Sequence, residues 1–188
     1  MGRWEPNARG RLEQAALELY VERGYEQTTV AEIAKRAGLT ERTFFRHYAD
    51  KREVLFGGSD TLRDHLVNAV AAAPDSAAPI DAIAGAVEGV GVLFDERHER
   101  ARQRQAVIAL NAELRERELI KLASLSAALA DTLRRRGVPD PAASLAAEAG
   151  IAVFKIAFER WISGPGEPGL SQLVRESFDA LKAVTAGT

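Results

Sequence analysis

The chain has 188 residues, a formal charge of −2, and a balance of 46% hydrophobic, 28% charged and 6% aromatic residues, which describes a soluble globular protein of one or two compact units. It has no cysteine, which excludes disulfides, thiolate metal sites and a cysteine nucleophile. His47, His65 and His98 are too scattered to pair on a metal, there is no phosphate loop, nucleophile elbow, signal-like leader or bilayer-length apolar run, and so the expectation is a cytoplasmic non-enzyme with no metal, no cofactor and no membrane partner.

Residues 1–8 read as a flexible N-terminal arm, where Pro6 discourages an earlier helix start and Arg3, Trp4 and Arg9 supply charge and an aromatic ring. A cationic arm reaching along DNA and a simply frayed terminus are both open readings. From Arg9 to Arg23 the set Leu12, Ala15, Ala16, Leu19 and Tyr20 recurs at helical spacing, and Gly24 followed by Tyr25 is a glycine C-cap with its apolar closing contact. This helix is expected to bury its stripe against Ile33, Phe44 and Tyr48.

Two short helices joined by a tight turn follow, over about 29–48. Thr29 and Glu32 form a capping box, and Val30, Ile33, Ala34 and Ala37 share one face. Gly38 accepts the backbone geometry of a sharp turn, Leu39 tucks inward and Thr40 caps the second helix, in which Phe44 and Tyr48 lie four apart. The pattern is that of a helix-turn-helix, whose second helix enters a DNA major groove. From Lys35 to Arg52 the six cations Lys35, Arg36, Arg42, Arg46, Lys51 and Arg52 stand against Glu41 and Asp50, a local +4 in a chain of −2. Concentrated charge suits phosphate contact, although the same caps and turn also occur in ordinary solvated helical pairs.

At these residues the chain resembles the TetR family of transcriptional regulators. The resemblance spans roughly residues 9–56. It is carried by Thr29-Val30-Ala31-Glu32-Ile33-Ala34-Lys35-Arg36-Ala37-Gly38-Leu39-Thr40, then Thr43-Phe44-Phe45-Arg46-His47-Tyr48, then Asp50-Lys51. It implies an all-α protein with an N-terminal three-helix DNA-binding domain over 9–56 and a helical ligand-binding and dimerisation domain over 57–188. It implies a DNA contact set of Thr28, Thr29, Thr40, Glu41, Arg42, Thr43, Phe45, His47 and Lys51, with Thr40, Thr43 and Lys51 toward phosphates and Glu41 and His47 toward either; Arg42 sits near the start of the second helix, where side chains face base edges, and its planar fork suits guanine. Phe45 stands where the family commonly has a tyrosine whose hydroxyl reaches a phosphate; packing on the sugar-phosphate backbone is expected in its place.

Asp50 and Glu53 open a fourth helix, expected to run unbroken through Val54, Leu55, Leu62, Leu66 and Val70 to about Ala73 as the one link to the remainder. Gly57-Gly58 interrupts its stripe, either as a hinge or as a site of close packing. After the loop 71–79, helices are expected near 80–95, around 98–110, and through Leu119, Leu122, Leu125, Leu129 and Leu133 to Gly137. Arg134–Arg136 suits the carbonyl end of that helix better than a second nucleic-acid patch. Asp140-Pro141 opens a helix through Ile151, Phe154, Phe158 and Trp161 to Gly164, and the closing helix carries Leu170, Leu173, Val174, Phe178, Leu181 and Val184.

The resemblance further implies a small-molecule pocket and a two-fold dimer matched to a palindromic double-stranded operator. Candidate ligand contacts are His65, Leu66, Phe94, Ile108, Leu125 and Phe154, with plain core as the alternative. Alanine- and leucine-rich walls favour an apolar or amphipathic effector. Candidate dimer residues are Ile151, Phe154, Phe158, Trp161, Val174, Phe178 and Leu181, with an intramolecular core as the alternative. The expected function is a repressor released by its ligand; a ligand-independent DNA-binding regulator is the second reading.

Overall fold

A computed structural model describes residues 7–94, 97–166 and 168–186. The arm residues Arg3, Trp4 and Pro6 lie outside the described residues. Among those described there are nine α-helices, one 3₁₀ turn and no strand. In chain order these are α1 (Ala8–Arg23), α2 (Val30–Arg36), α3 (Glu41–His47), the 3₁₀ turn Glu53–Phe56, α4 (Ser59–Ala71), α5 (Pro79–Phe94), α6 (His98–Leu110), α7 (Ala112–Arg135), α8 (Ala142–Ser163) and α9 (Leu170–Ala186).

They form two compact units, Met1–Ser59 with Gln103–Glu118, and Asp60–Arg102 with Leu119–Thr188. The expected division at residue 57 places 103–118 in the other part. The chain passes between the units after Ser59, Arg102 and Glu118, so the 50–73 segment is one of three links. That segment is not one helix either. A 3₁₀ turn ends at Phe56, Gly57-Gly58 forms a turn, and α4 starts afresh at Ser59.

The first unit follows from its caps and stripes. Asn7 accepts from the Gly10 N–H at 3.0 Å to start α1, and Gly24, at φ 88°, closes it through a bond from its N–H to the Tyr20 carbonyl. Both bonds of the Thr29–Glu32 box are present, and Thr40 caps α3 through the Thr43 N–H. Gly38 turns the chain at φ 66°, a value that side chains with a Cβ rarely adopt. Leu12, Leu19, Ile33 and Phe44 are at most 1% exposed in one core that also holds Tyr20, Tyr48, Val54 and Phe56. Each such large side chain contributes about 1.5–3 kcal/mol by burial. Val107, Ile108 and Leu114 complete this core.

In the second unit α5, α8 and α9 pack on one another, and Leu66 and Val70 of α4 with Leu125, Leu129 and Leu133 of α7 fill the remainder of the core. α5 and α8 approach so closely that a Cβ at Gly150 would collide with the Ile83 side chain. The arginines ending α7 are local cross-links. Arg134 pairs with Asp131 and Asp140, Arg135 reaches Thr132, and Arg136 donates to the carbonyls of Ala71, Ala73 and Pro74.

Candidate nucleic-acid interface

α3 is a seven-residue helix anchored by one side. Phe44 is fully buried and Tyr48, just past the helix, is 5% exposed. The Tyr48 hydroxyl donates to Glu13 at 2.7 Å and accepts from Arg9 at 3.2 Å, tying the end of α3 to α1. Burial, followed by the bond to Glu13, pushes the Tyr48 hydroxyl well above its ordinary pKa, so it stays protonated as a donor.

Opposite that anchor the surface is open. At 3.6 residues per turn Arg42, Phe45 and Arg46 fall within about 100° of one another, on the side away from Phe44. All three are exposed and line one concavity with Thr43. Phe45 is 55% exposed and braced edge-on against Phe44, with ring centroids 5.5 Å apart. Thr40, Glu41 and His47 are exposed beside this face, and Thr29 is exposed at the start of α2.

The six cations of the local +4 divide into two groups. Arg36 is held bidentate by Glu22, at 2.8 Å on both nitrogens, and Arg52 bridges Asp50 and Glu113. Lys51 spends all three ammonium protons on main-chain carbonyls, those of Tyr25 at 2.9 Å, Thr28 at 3.1 Å and Glu26 at 3.3 Å, and lies 4.3 Å from the Tyr25 ring centroid. Only Lys35, Arg42 and Arg46 are exposed with no ion pair or hydrogen bond among the described residues.

Two expected DNA contacts are therefore corrected. Lys51 closes the loop between α1 and α2 and has no ammonium proton left for a phosphate. Thr28 is 1% exposed, with its hydroxyl on the Gly24 carbonyl at 2.9 Å. Arg46 belongs to the exposed face but was absent from the expected set; its position four residues after Arg42, one helical turn on, was the available signal.

The segment 103–118 supports the same unit from behind. Arg104 donates to the Leu55 carbonyl at 2.7 Å, sits 5.0 Å from the Phe56 ring centroid and pairs with Glu118 at 3.3 Å, while Arg117 meets Glu53 at 2.5 Å. Ile108 is fully buried here, in the core with Leu12 and Phe44, and is thereby removed from the expected ligand set.

The other ligand candidates lie in the second unit, where Phe94 and Phe154 pack against the core that holds Leu66 and Leu125. His65 is exposed, whereas Leu66 and Leu125 are core residues. Phe94 and Phe154 do meet, at 6.4 Å between centroids, in an aromatic cluster with Phe158 and Trp161 that His98 joins edge-on to Trp161 at 4.8 Å. Trp161 is 1% exposed and its indole N–H has no acceptor among the described residues.

Among the dimer candidates Ile151, Trp161, Val174 and Phe178 are buried within the chain itself, and Phe154, Phe158 and Leu181 pack partly against the same core. Much of the apolar surface of α8 is covered by α5 and α9 of the same chain. A different row faces outward on α8, formed by Leu145, Ala149, Ala152 and Ile156 three or four residues apart, with Leu145 65% and Ile156 54% exposed.

A small helical unit that turns an exposed cationic face outward from a capped second helix anchored by Phe44 and Tyr48 has the geometry of a helix-turn-helix DNA-binding regulator. The chain belongs to the tetR family of bacterial regulatory proteins, whose model matches residues 13–56, while residues 77–186 match the MftR C-terminal domain. It is 38% identical over 82 residues to the HTH-type transcriptional regulator TcmR of Streptomyces glaucescens; that stretch is 44% of this chain and only 36% of TcmR. It is 24% identical over 186 residues to MftR of Mycobacterium tuberculosis, a protein named for transcriptional regulation of mycofactocin biosynthesis, covering 97% of this chain and 93% of MftR. Its fold is that of the transcriptional regulator FadR from Bacillus subtilis, solved in complex with stearoyl-CoA, with a TM-score of 0.64 at 20% identity over 92% of this chain and 96% of that one.

Proposed function

We propose that the chain is a cytoplasmic repressor that binds a palindromic operator as a homodimer and is released by an apolar or amphipathic small molecule. The observation that carries the reading is the exposed Arg42–Phe45–Arg46 face on a helix whose opposite side is locked by Phe44 and Tyr48. Such a helix presents its outer face to the major groove without needing DNA to order it. Thr40 and Thr43 reach phosphates at the rim, and Glu41 and His47 contact bases or backbone.

The ligand half of the reading is supported by the buried Trp161 N–H. A buried donor without an acceptor among the described residues costs about 1–3 kcal/mol, which an acceptor atom on a ligand entering through half-buried Phe94, Phe154 and Phe158 would offset. The stearoyl-CoA bound by the FadR structure belongs to the amphipathic class favoured by composition. The dimer is assigned to the outward row on α8 with Val184, 78% exposed, on α9. Binding and release are the whole activity; the reading gives no residue a catalytic role.

The test is anisotropy of the full chain on a selected operator, with and without stearoyl-CoA. Tenfold or greater weakening supports release. Operator binding unmoved by stearoyl-CoA or by a panel of apolar compounds returns the chain to a ligand-independent regulator.

A further inference from the structure

From the geometry of α3 we infer the base composition of the operator half-site: two guanines read by Arg42 and Arg46, with a thymine beside them read by Phe45. The inference rests on the reading of α3 as the recognition helix and adds the sequence that helix selects. Arg42 and Arg46 are one turn apart, and four residues at 1.5 Å rise separate their Cα atoms by about 6 Å along the axis. Stacked bases advance by about 3.4 Å per step, so two side chains leaving the same face of a helix along the groove meet bases about two steps apart.

The chemistry of each position is specific. A guanidinium presents two parallel N–H donors that match the O6 and N7 acceptors of guanine, a pattern that no other base edge offers in the major groove. Both forks are uncommitted among the described residues: neither Arg42 nor Arg46 has a carboxylate or carbonyl partner there, whereas Arg36 and Arg52 on the same unit are held by acids. Base reading requires this freedom, because a guanidinium in an intramolecular ion pair must break it to bind.

Phe45 falls on the same arc, about 60° from Arg42 and about 100° from Arg46, and has no polar atom. Its ring cannot hydrogen-bond a phosphate, and Phe44 holds it outward edge-on. The apolar partner in the major groove is the thymine C5-methyl. This places Phe45 on a base and not on the sugar-phosphate backbone.

The experiment is in vitro selection of random duplexes by the full chain and by the variants Arg42→Ala, Arg46→Ala, Arg46→Lys and Phe45→Ala, each checked for helicity by circular dichroism. The wild type should enrich inverted half-sites with two guanine columns and a thymine column. Arg42→Ala and Arg46→Ala should each erase one guanine column and cost roughly ten- to hundredfold on the wild-type site. Arg46→Lys should keep non-specific affinity and still lose its column, since an ammonium lacks the fork. Phe45→Ala should flatten the thymine column alone.

A sharp wild-type motif lacking guanine pairs overturns the inference while leaving DNA recognition by α3 intact. So does an Arg46→Ala variant that binds every sequence equally more weakly, which marks a phosphate contact. Enrichment of no sequence by the folded wild type overturns the recognition-helix reading itself.

Discussion

Replacing Lys51 by methionine separates a structural lysine from a phosphate-binding one. The substitution keeps most of the aliphatic stem and removes the ammonium, leaving the carbonyls of Tyr25, Glu26 and Thr28 without their shared donor. A hydrogen bond to a charged group contributes about 1.5–3 kcal/mol, and a cation over an aromatic ring about 0.5–1 kcal/mol at an exposed site. Lys51 is half-buried and water can reach part of the loop, so the contributions do not add; a net loss of about 2–3 kcal/mol follows. For a chain of this size that corresponds to a fall in Tm of about 5–10 °C. Thermal circular dichroism measures it. The salt dependence of operator binding is measured alongside, since each lost phosphate contact lowers the slope of log K against log salt by about 0.9. The slope should not change. A stable variant with a slope reduced by one ion would refute the assignment of the ammonium to the loop.

Four further outcomes follow from the contacts. A Cβ at Gly57 would meet the Tyr48 hydroxyl at 2.8 Å and collide with Glu13, so Gly57→Ala should cost about 1–3 kcal/mol, while Gly58→Ala, with open space around it, should be neutral or slightly stabilising; denaturant midpoints distinguish the two. Ile156→Glu should give a folded monomer in sedimentation, whereas Phe178→Glu buries a charge in the core and should give unfolded or insoluble protein; a dimeric Ile156→Glu would move the interface elsewhere. Trp161→Phe should change stability by less than about 1.5 kcal/mol, because the lost ring volume is offset by removal of an unsatisfied donor, and should raise the stearoyl-CoA concentration needed for operator release. The Glu32 carboxylate is held below the usual carboxylate range by the Thr29 N–H, then the Thr29 hydroxyl and Arg23; its contribution is present at neutral pH and is lost as pH falls into and below that range, so Glu32→Gln should flatten the acid limb of the stability curve there.

What was legible from the sequence is what short-range chemistry encodes. The Thr29 box, the Gly38 turn, the Thr40 cap and the Phe44–Tyr48 spacing act within a few residues, so they specify the helix-turn-helix wherever it sits. The destinations of side chains were less legible. Periodicity puts Ile108 on the apolar face of a helix, yet which core receives that face depends on where 103–118 packs. A lysine after Asp50 looks free until the Tyr25–Thr28 loop folds back over it. The breadth of apolar surface on α8 suggested a partner subunit because hydrophobicity does not say whether the cover comes from α5 and α9 of the same chain. The need for glycine at 57 was not legible either, since Glu13 and Tyr48, which occupy the place of a Cβ, both come from distant positions in the chain.

DNA recognition is assigned to the outer face of α3, and fluorescence anisotropy of the full chain on its selected operator tests that face most directly. The variant for this measurement is the double substitution Arg42→Ala, Arg46→Ala, which touches two exposed, unpaired side chains and should leave the circular dichroism spectrum and Tm unchanged. The account predicts that its affinity for the operator falls to the level shown for unrelated duplex, at every salt concentration. Operator affinity retained within threefold by the folded double variant would contradict the claim that this helix reads DNA.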